Sequence, residues 1–317
     1  MTTPSIPSAK PPPILSVVIA FAAVYLIWGS TYLAIRIGVQ TLPPFLLAGS
    51  RFIFAGPVLM FIAGVLGAPW PTRRQWLASA TTGCFLLVGG NGMVVLAERE
   101  VTSSITALII ATTPVWFALG EWIRPGGQRP SRRAWIGIAL GISGVAYLSF
   151  SRPASAGPVT VTLKGLALLI VATISWATGS LLVKHLEKPK SPWMMSGAQM
   201  ASGGAVLLVL AGVHGEIAQF SPATVSRESW MALAYLVVFG SWVGFSAYVW
   251  LLKVSTASRV STYAYVNPVV AVSLGWLLLG EALSFHTLIA AAVLLAGVVI
   301  VVWPNRPVSA ASLSKSP

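Results

Sequence analysis

Three sets of side chains carry chemistry into otherwise apolar stretches of this 317-residue chain. Tyr25, Trp28 and Tyr32 recur at i, i+3 and i+7, one face of a helix, and Thr173, Trp176 and Ser180 offer a similar stripe further on. Such a stripe either lines a path for an amphipathic solute or packs on a neighbour. The indole N–H groups of Trp28 and Trp176 need acceptors in both cases. Arg51 stands about two turns inside an apolar run, where a charge costs a few kcal/mol or more. It acts either as an anchor bonded to carbonyls or as the partner of Glu98 in a pair that gates a vestibule or binds a substrate carboxylate. Thr112-Thr113-Pro114 and Asn267-Pro268 join a proline, which frees a carbonyl one turn earlier, to a hydroxyl or amide oxygen. Together these can supply ligand oxygens; a kink packed by its neighbours is the alternative. Ser258, Thr262 and Tyr265 recur at i, i+4 and i+7 beside Asn267, with Tyr263 on an adjoining face. Asn91 sits among Gly89, Gly90 and Gly92, glycines that also allow close helix contact.

Catalytic chemistry finds less support. Every acidic residue is Glu, and Glu98, Glu100, Glu121, Glu187, Glu216, Glu228 and Glu281 all fall near helix ends or loops, so no deep carboxylate relay is visible. Glu98 is the membrane-edge carboxylate best suited to proton antiport, and uniport or exchange fits equally. Gly141-Ile142-Ser143-Gly144 matches the GxSG pattern of rhomboid proteases, but a serine needs a base within hydrogen-bond reach. His185, His214 and His286 fall at helix ends or loops. Neither catalytic residues nor a nucleotide-binding loop are expected. Cys84 is the one cysteine, which excludes a disulfide framework or thiolate cluster within one chain. No metal or cofactor is predicted.

The elements that must position these groups follow from composition. Hydrophobic residues make up 56% of the chain and charged residues 9%, with mean hydropathy +0.82, outside the range of a soluble domain. A spanning helix needs about 20 apolar residues. Ten candidates lie near 14-38, 43-66, 75-97, 101-124, 132-150, 163-186, 192-213, 229-252, 257-280 and 285-303, cut by prolines and glycines between them. The expected fold is all-α, an integral membrane protein of ten transmembrane helices. Residues 1-13 read as a disordered tail, 14-150 as a first five-helix unit, 151-162 as a linker, 163-303 as a second unit and 304-317 as a C-terminal tail.

The two units echo each other. Trp28 matches Trp176 at an offset of 148, as Pro44 matches Pro192 and Gly49 matches Gly197; at 154, Trp76 matches Trp230, Gly90 matches Gly244 and Thr113-Pro114 matches Asn267-Pro268. Arg51 thus corresponds to Gln199. Five helices per unit is odd, so the second unit must enter the membrane from the other side, an inverted repeat as in many secondary transporters. Net charge +13 is explained by topology rather than nucleic acid. With both ends in the cytoplasm, 14 of the 20 basic residues lie inside, the asymmetry of the positive-inside rule.

The residues also carry a family resemblance. IWGSTYLAIRIG at 27-38, AGSRF at 48-52, GNGMVVLAE at 90-98, TTPVW at 112-116 and STYAYVNPVVAVSLG at 261-275 resemble the EamA unit of the drug/metabolite transporter superfamily, YedA-type branch, and the likeness extends over nearly all of 14-303. It implies a ten-helix inner-membrane carrier that exports small metabolites, amino acids or drugs. It also implies a central cavity between the first four helices of each half, with the fifth and tenth peripheral. The first half departs from the pattern: the 154 offset pairs Glu281 with Gly127, so the role of Glu281 does not transfer to Glu121. The expected substrate site comprises Trp28, Tyr32, Arg51, Asn91, Glu98, Thr113, Trp176, Ser180, Gln199, Thr262, Tyr265 and Asn267. The expected partners are the lipid bilayer and a small-molecule substrate, with no nucleic acid, for a monomer or homodimer. An intramembrane enzyme or a channel-like protein is the competing reading.

Overall fold

A computed structural model describes residues 13–124, 129–150, 162–255, 263–281 and 283–302. The long helices are α1 (Ile14–Gly38), α2 (Pro44–Val65), α3 (Arg73–Ala97), α4 (Ser103–Ile123), α5 (Arg132–Phe150), α6 (Leu163–Val183) and α7 (Pro192–Val213). They are followed by α8, built of Arg227–Tyr235, Leu236–Val243 and Gly244–Val254, then α9 (Tyr263–Leu279) and α10 (Phe285–Val302). Helices α1 to α4 and α6 to α8 are long and apolar enough to cross a membrane, and α9 and α10 contain shorter apolar stretches. Lipid-facing side chains such as Phe54, Phe61 and Leu277 are more than half exposed, as expected where hydrocarbon replaces water. The protein is an all-α integral membrane protein. The predicted tails apart from Pro13, most of the 151-162 linker and Ser258 lie outside the described residues.

Local chemistry sets the helix starts. Hydroxyl N-caps accept a backbone N–H three residues on at Thr72, Thr102, Thr162, Ser191 and Ser226, and Thr72 closes a capping box with Gln75. Pro44 and Pro192 occupy the first position of α2 and α7, where a missing N–H costs nothing. Helix α4 is broken at Ala111-Thr112 into Ser103–Ile110 and Thr113–Ile123, whereas Pro268 sits inside a continuous α9. Helices α3 and α8 each contain a π-helical stretch, at Cys84–Gly92 and Leu236–Val243. Adding 154 to the first gives 238–246, which overlaps the second, so the widened turns fall at matching places.

The packing is reciprocal between the two units. Helix α1 packs on α8 and α9, and α6 packs on α3 and α4; α2 packs along α7; α5 packs mainly on α10, apart from the rest. The α2–α7 seam brings two backbones together. A Cβ on Gly56 would stand 2.5 Å from Ala201 N and 2.7 Å from Gly197 O, a contact only glycine permits. Gly56→Ala is therefore expected to cost about 1–3 kcal/mol through overpacking, read as a lower melting temperature of the detergent-purified protein. An unchanged melting temperature would show that the seam can relax.

Side-chain bonds define one end of the bundle. Glu216 accepts from the free amides of Phe45 and Leu46 at 3.3 and 2.9 Å, an anion on the N-terminus of α2. Thr41 bonds Ser229 at 2.8 Å, Arg36 bonds the main-chain oxygen of Glu98, and Lys164 pairs with Glu100 at 2.8 Å. The last turn of α1 and the first turn of α6 therefore share this end. Lys164 and Thr162 also hold the half-buried Glu100 carboxyl below the usual carboxylate range. At the opposite end, Arg124 contacts His185 at 2.6 Å and Glu121 at 2.9 Å.

Candidate functional site

Between the two units lies a cavity of about 610 Å³, within the range of about 300–1,000 Å³ typical of small-molecule sites. It is lined by α1, α2, α3, α4, α6 and α9, together with Lys184 at the end of α6. Its lining includes the buried Ile35 and Ala107, 2% and 1% exposed, toward the end that carries Glu98 and Glu281. At its other end it reaches Glu121 and the exposed Lys184. The lining is thus buried at one end, termed here the closed end, and exposed at the other.

Seven of the twelve residues proposed from sequence line this cavity: Trp28, Tyr32, Arg51, Asn91, Thr113, Trp176 and Asn267. Trp28 is fixed by donation from Nε1 to Gly240 O at 3.3 Å and by edge contact with Tyr263 at 5.1 Å and a tilted contact with Tyr248 at 5.0 Å. Thr113 spends its proton on Ile110 O at 2.5 Å, leaving its oxygen free to accept. The Oδ1 atoms of Asn91 and Asn267 are buried without a hydrogen-bond partner among the described residues. Asn91 lies in the π stretch of α3, which is how a loosened turn presents a polar group to the cavity.

Arg51 is the strongest charge on the wall. It is 7% exposed, its Nε donates to Ser241 Oγ at 3.0 Å, and its guanidinium lies over the Phe52 ring at 4.9 Å. Ser241 in turn donates to Leu236 O, five residues back in the π stretch of α8, at 3.1 Å. Among the described residues no carboxylate forms an ion pair with Arg51. The pair with Glu98 considered from sequence is absent: α8 takes the guanidinium, and the Glu98 side chain is enclosed at the end of α3.

The other proposed residues sit elsewhere. Ser180 donates to Trp176 O at 2.8 Å and is not on the cavity wall. Gln199 donates to Thr82 Oγ1 at 2.9 Å and ties α7 to α3. Glu98 is fully buried behind the closed end. Thr262 and the side chain of Tyr265 lie outside the described residues. Tyr263, set from sequence on a face adjoining Thr262 and Tyr265 and left out of the expected site, lines the cavity one turn before Asn267 on the same face of α9. Glu281 was likewise left out of the expected site, and its partners are 177 and 178 residues away: its carboxylate accepts from Ser103 N and Oγ at 2.9 and 2.7 Å, from Ser104 N at 3.0 Å, and from Ser104 Oγ. Glu121 instead bonds Arg124 within α4, so the two glutamates play different parts. Ser143 is exposed, donates to Leu140 O at 3.0 Å, and has no histidine bonded to it among the described residues.

A membrane-embedded helical bundle enclosing an apolar cavity with a few inward polar groups is the construction of a small-molecule transporter. The family can be stated as well. Residues 15–150 and 163–303 both match the model of the EamA-like transporter family, and the chain belongs to that family. It is 38% identical over 298 residues to the uncharacterized inner membrane transporter YedA of Escherichia coli (strain K12), covering 92% of this chain and 94% of that one. It is 28% identical over 293 residues to a probable amino-acid metabolite efflux pump of Salmonella typhimurium, covering 89% and 93%. A solved crystal structure shares the fold with a TM-score of 0.61 at 18% identity, over 91% of this chain and 98% of its own.

Proposed function

We propose that the protein is a secondary exporter of small amphipathic solutes, working by alternating access in the bacterial inner membrane with both termini cytoplasmic. Ten spans form two inverted five-helix halves in this reading. Supporting it are the shared end of α1's last turn and α6's first, the reciprocal packing of α1 and α6, and the matched π stretches. The positive-inside count sets the open end of the cavity toward the cytoplasm, the side from which an exporter loads. One chain encloses the cavity, so the transporting unit is a single chain, alone or within a homodimer.

The substrate class that fits best is an α-amino acid with an apolar or aromatic side chain. The observation that carries this is Arg51: a buried guanidinium on the cavity wall without an ion-pair partner among the described residues. A charge so placed is stabilised by an anionic ligand. The unpartnered amide oxygens of Asn91 and Asn267 suit an ammonium group, while Trp28, Trp176 and Phe117 offer apolar surface. The test is counterflow in proteoliposomes, comparing phenylalanine with phenethylamine, its analogue without the carboxylate. Saturable exchange of the amino acid, with the amine at least about tenfold weaker, is expected. Equal exchange of both would remove the carboxylate from recognition, and flux that never saturates would point to a channel.

A further inference from the structure

Glu98 is the one acidic side chain among the described residues that is wholly enclosed yet bonds to nothing. It follows the last residue of the third span, is 0% exposed, and neither carboxyl oxygen has a hydrogen-bond partner among the described residues. Arg36 lies beside it but gives its N–H to the main-chain oxygen of Glu98. The groups that act on Glu98 electrostatically are Tyr32 and Arg36 from α1 and Glu281 from the segment after α9, whose own carboxylate is spent on Ser103 and Ser104. The end of α3 also packs on α2 and α6, whose charges are committed elsewhere, Arg51 to Ser241 and Lys164 to Glu100. An enclosed carboxyl that receives no donor is favoured as the neutral acid, because desolvation penalises the ion. Arg36 opposes this and Glu281 reinforces it; burial is the larger effect.

Its place in the bundle gives the acid a role. Val94, one turn before Glu98, lines the cavity, as do Tyr32 and Ile35 across from it on α1. Glu98 therefore occupies the plug between the cavity and the closed end. We propose that Glu98 is a proton-binding site of the carrier, loaded when this end closes over it and exposed to external water when the end opens. The inference rests on the alternating-access reading above. Its consequence is linkage: the closed conformer holds one more proton than the open one, so rising external pH drives the plug open. The ratio of the two conformers changes by up to about tenfold per pH unit between the two affinities.

A readout that needs no substrate tests this. Spin labels at Arg99 and Gln219, exposed positions at the closed end from different halves, are introduced in a Cys84→Ser background and their separation is measured in nanodiscs from about pH 5 to about pH 9. A distance distribution that lengthens with pH, and stays short throughout in Glu98→Gln, is the expected result. Glu98→Asp keeps a titratable acid and should retain the response with a displaced midpoint, which separates proton binding from simple loss of fit. A pH response that survives in Glu98→Gln, or that disappears only in Glu281→Gln, overturns the assignment. Two distances whose proportions ignore pH would overturn it while leaving alternating access standing; a single distance at every pH and with saturating phenylalanine would overturn both.

Discussion

Arg51→Met is expected to abolish saturable amino-acid exchange while leaving the amount of folded protein in the membrane unchanged or slightly raised. A guanidinium has five N–H donors, and the one on Nε is bonded to Ser241. The rest of the fork is available to a carboxylate in the bidentate form that makes such contacts strong. A hydrogen bond to a charged group is worth about 1.5–3 kcal/mol, so losing the pair lowers affinity by at least about 10- to 100-fold. Stability moves the other way. A buried charge without a counter-ion is a cost to the fold, and an apolar side chain of similar length removes that cost. Ser241 keeps its own bond to Leu236 O, so the substitution strands no donor. Arg51→Lys should keep the charge but lose the planar fork, giving transport intermediate between wild type and Arg51→Met. Measuring counterflow and thermal stability on the same preparations separates the two roles considered from sequence: an anchor loses both, a substrate ligand loses transport alone.

The legible and illegible parts of this molecule divide along physical lines. Helix positions were readable because hydrocarbon demands long apolar runs and because prolines and glycines punctuate the segments between them. The duplication was readable because the Trp28/Trp176 and Pro44/Pro192 echoes stand at one fixed offset. What a single sequence did not reveal was the direction in which each polar side chain points, since that depends on which helix lies opposite. Arg51 and Gln199 are equivalent in register, yet one turns toward α8 and the cavity and the other toward Thr82 on α3. The π stretches in α3 and α8 were equally silent, because they are adjustments of backbone bonding forced by packing, whereas the break in α4 at Ala111-Thr112 falls just before Pro114, where a kink was one of the two readings. Glu98 was recognised as a carboxylate at a helix end, where exposure is the usual expectation, and its enclosure arises from α1 and the segment after α9 closing over it. The Glu281 clasp spans the two halves, and no local pattern announces a contact of that kind.

That clasp governs the second large effect. Glu281→Gln should raise the rate at which a cysteine at Ile35, in a Cys84→Ser background, is labelled by an impermeant maleimide applied outside proteoliposomes oriented with the closed end outward. Gly280, in the left-handed region at φ 63°, turns the chain at the end of α9 so that Glu281 N bonds Gly275 O at 3.0 Å. The carboxylate then lies on the first two amides of α4, whose N-terminus attracts an anion, and takes both serine hydroxyls as well. A glutamine is the same size but puts an NH₂ where one oxygen was, setting donor against donor at Ser103 or Ser104. At least one charge-assisted bond is lost and one buried N–H is left without an acceptor, about 1.5–3 kcal/mol against the closed form, or about 10- to 100-fold faster labelling. Gly275→Ala reaches the same end sterically, since its Cβ would collide with Glu281 Oε2 and stand 2.7 Å from Ser104 Oγ. Two unrelated substitutions that both accelerate labelling, with Arg51 intact, would locate the outer gate where α4 begins and α9 ends. Labelling at the wild-type rate in both would mean that the plug around Glu98 and Ile35 holds without the clasp, and the gate would then have to be sought in the α1 contact between Arg36 and the main chain of Glu98.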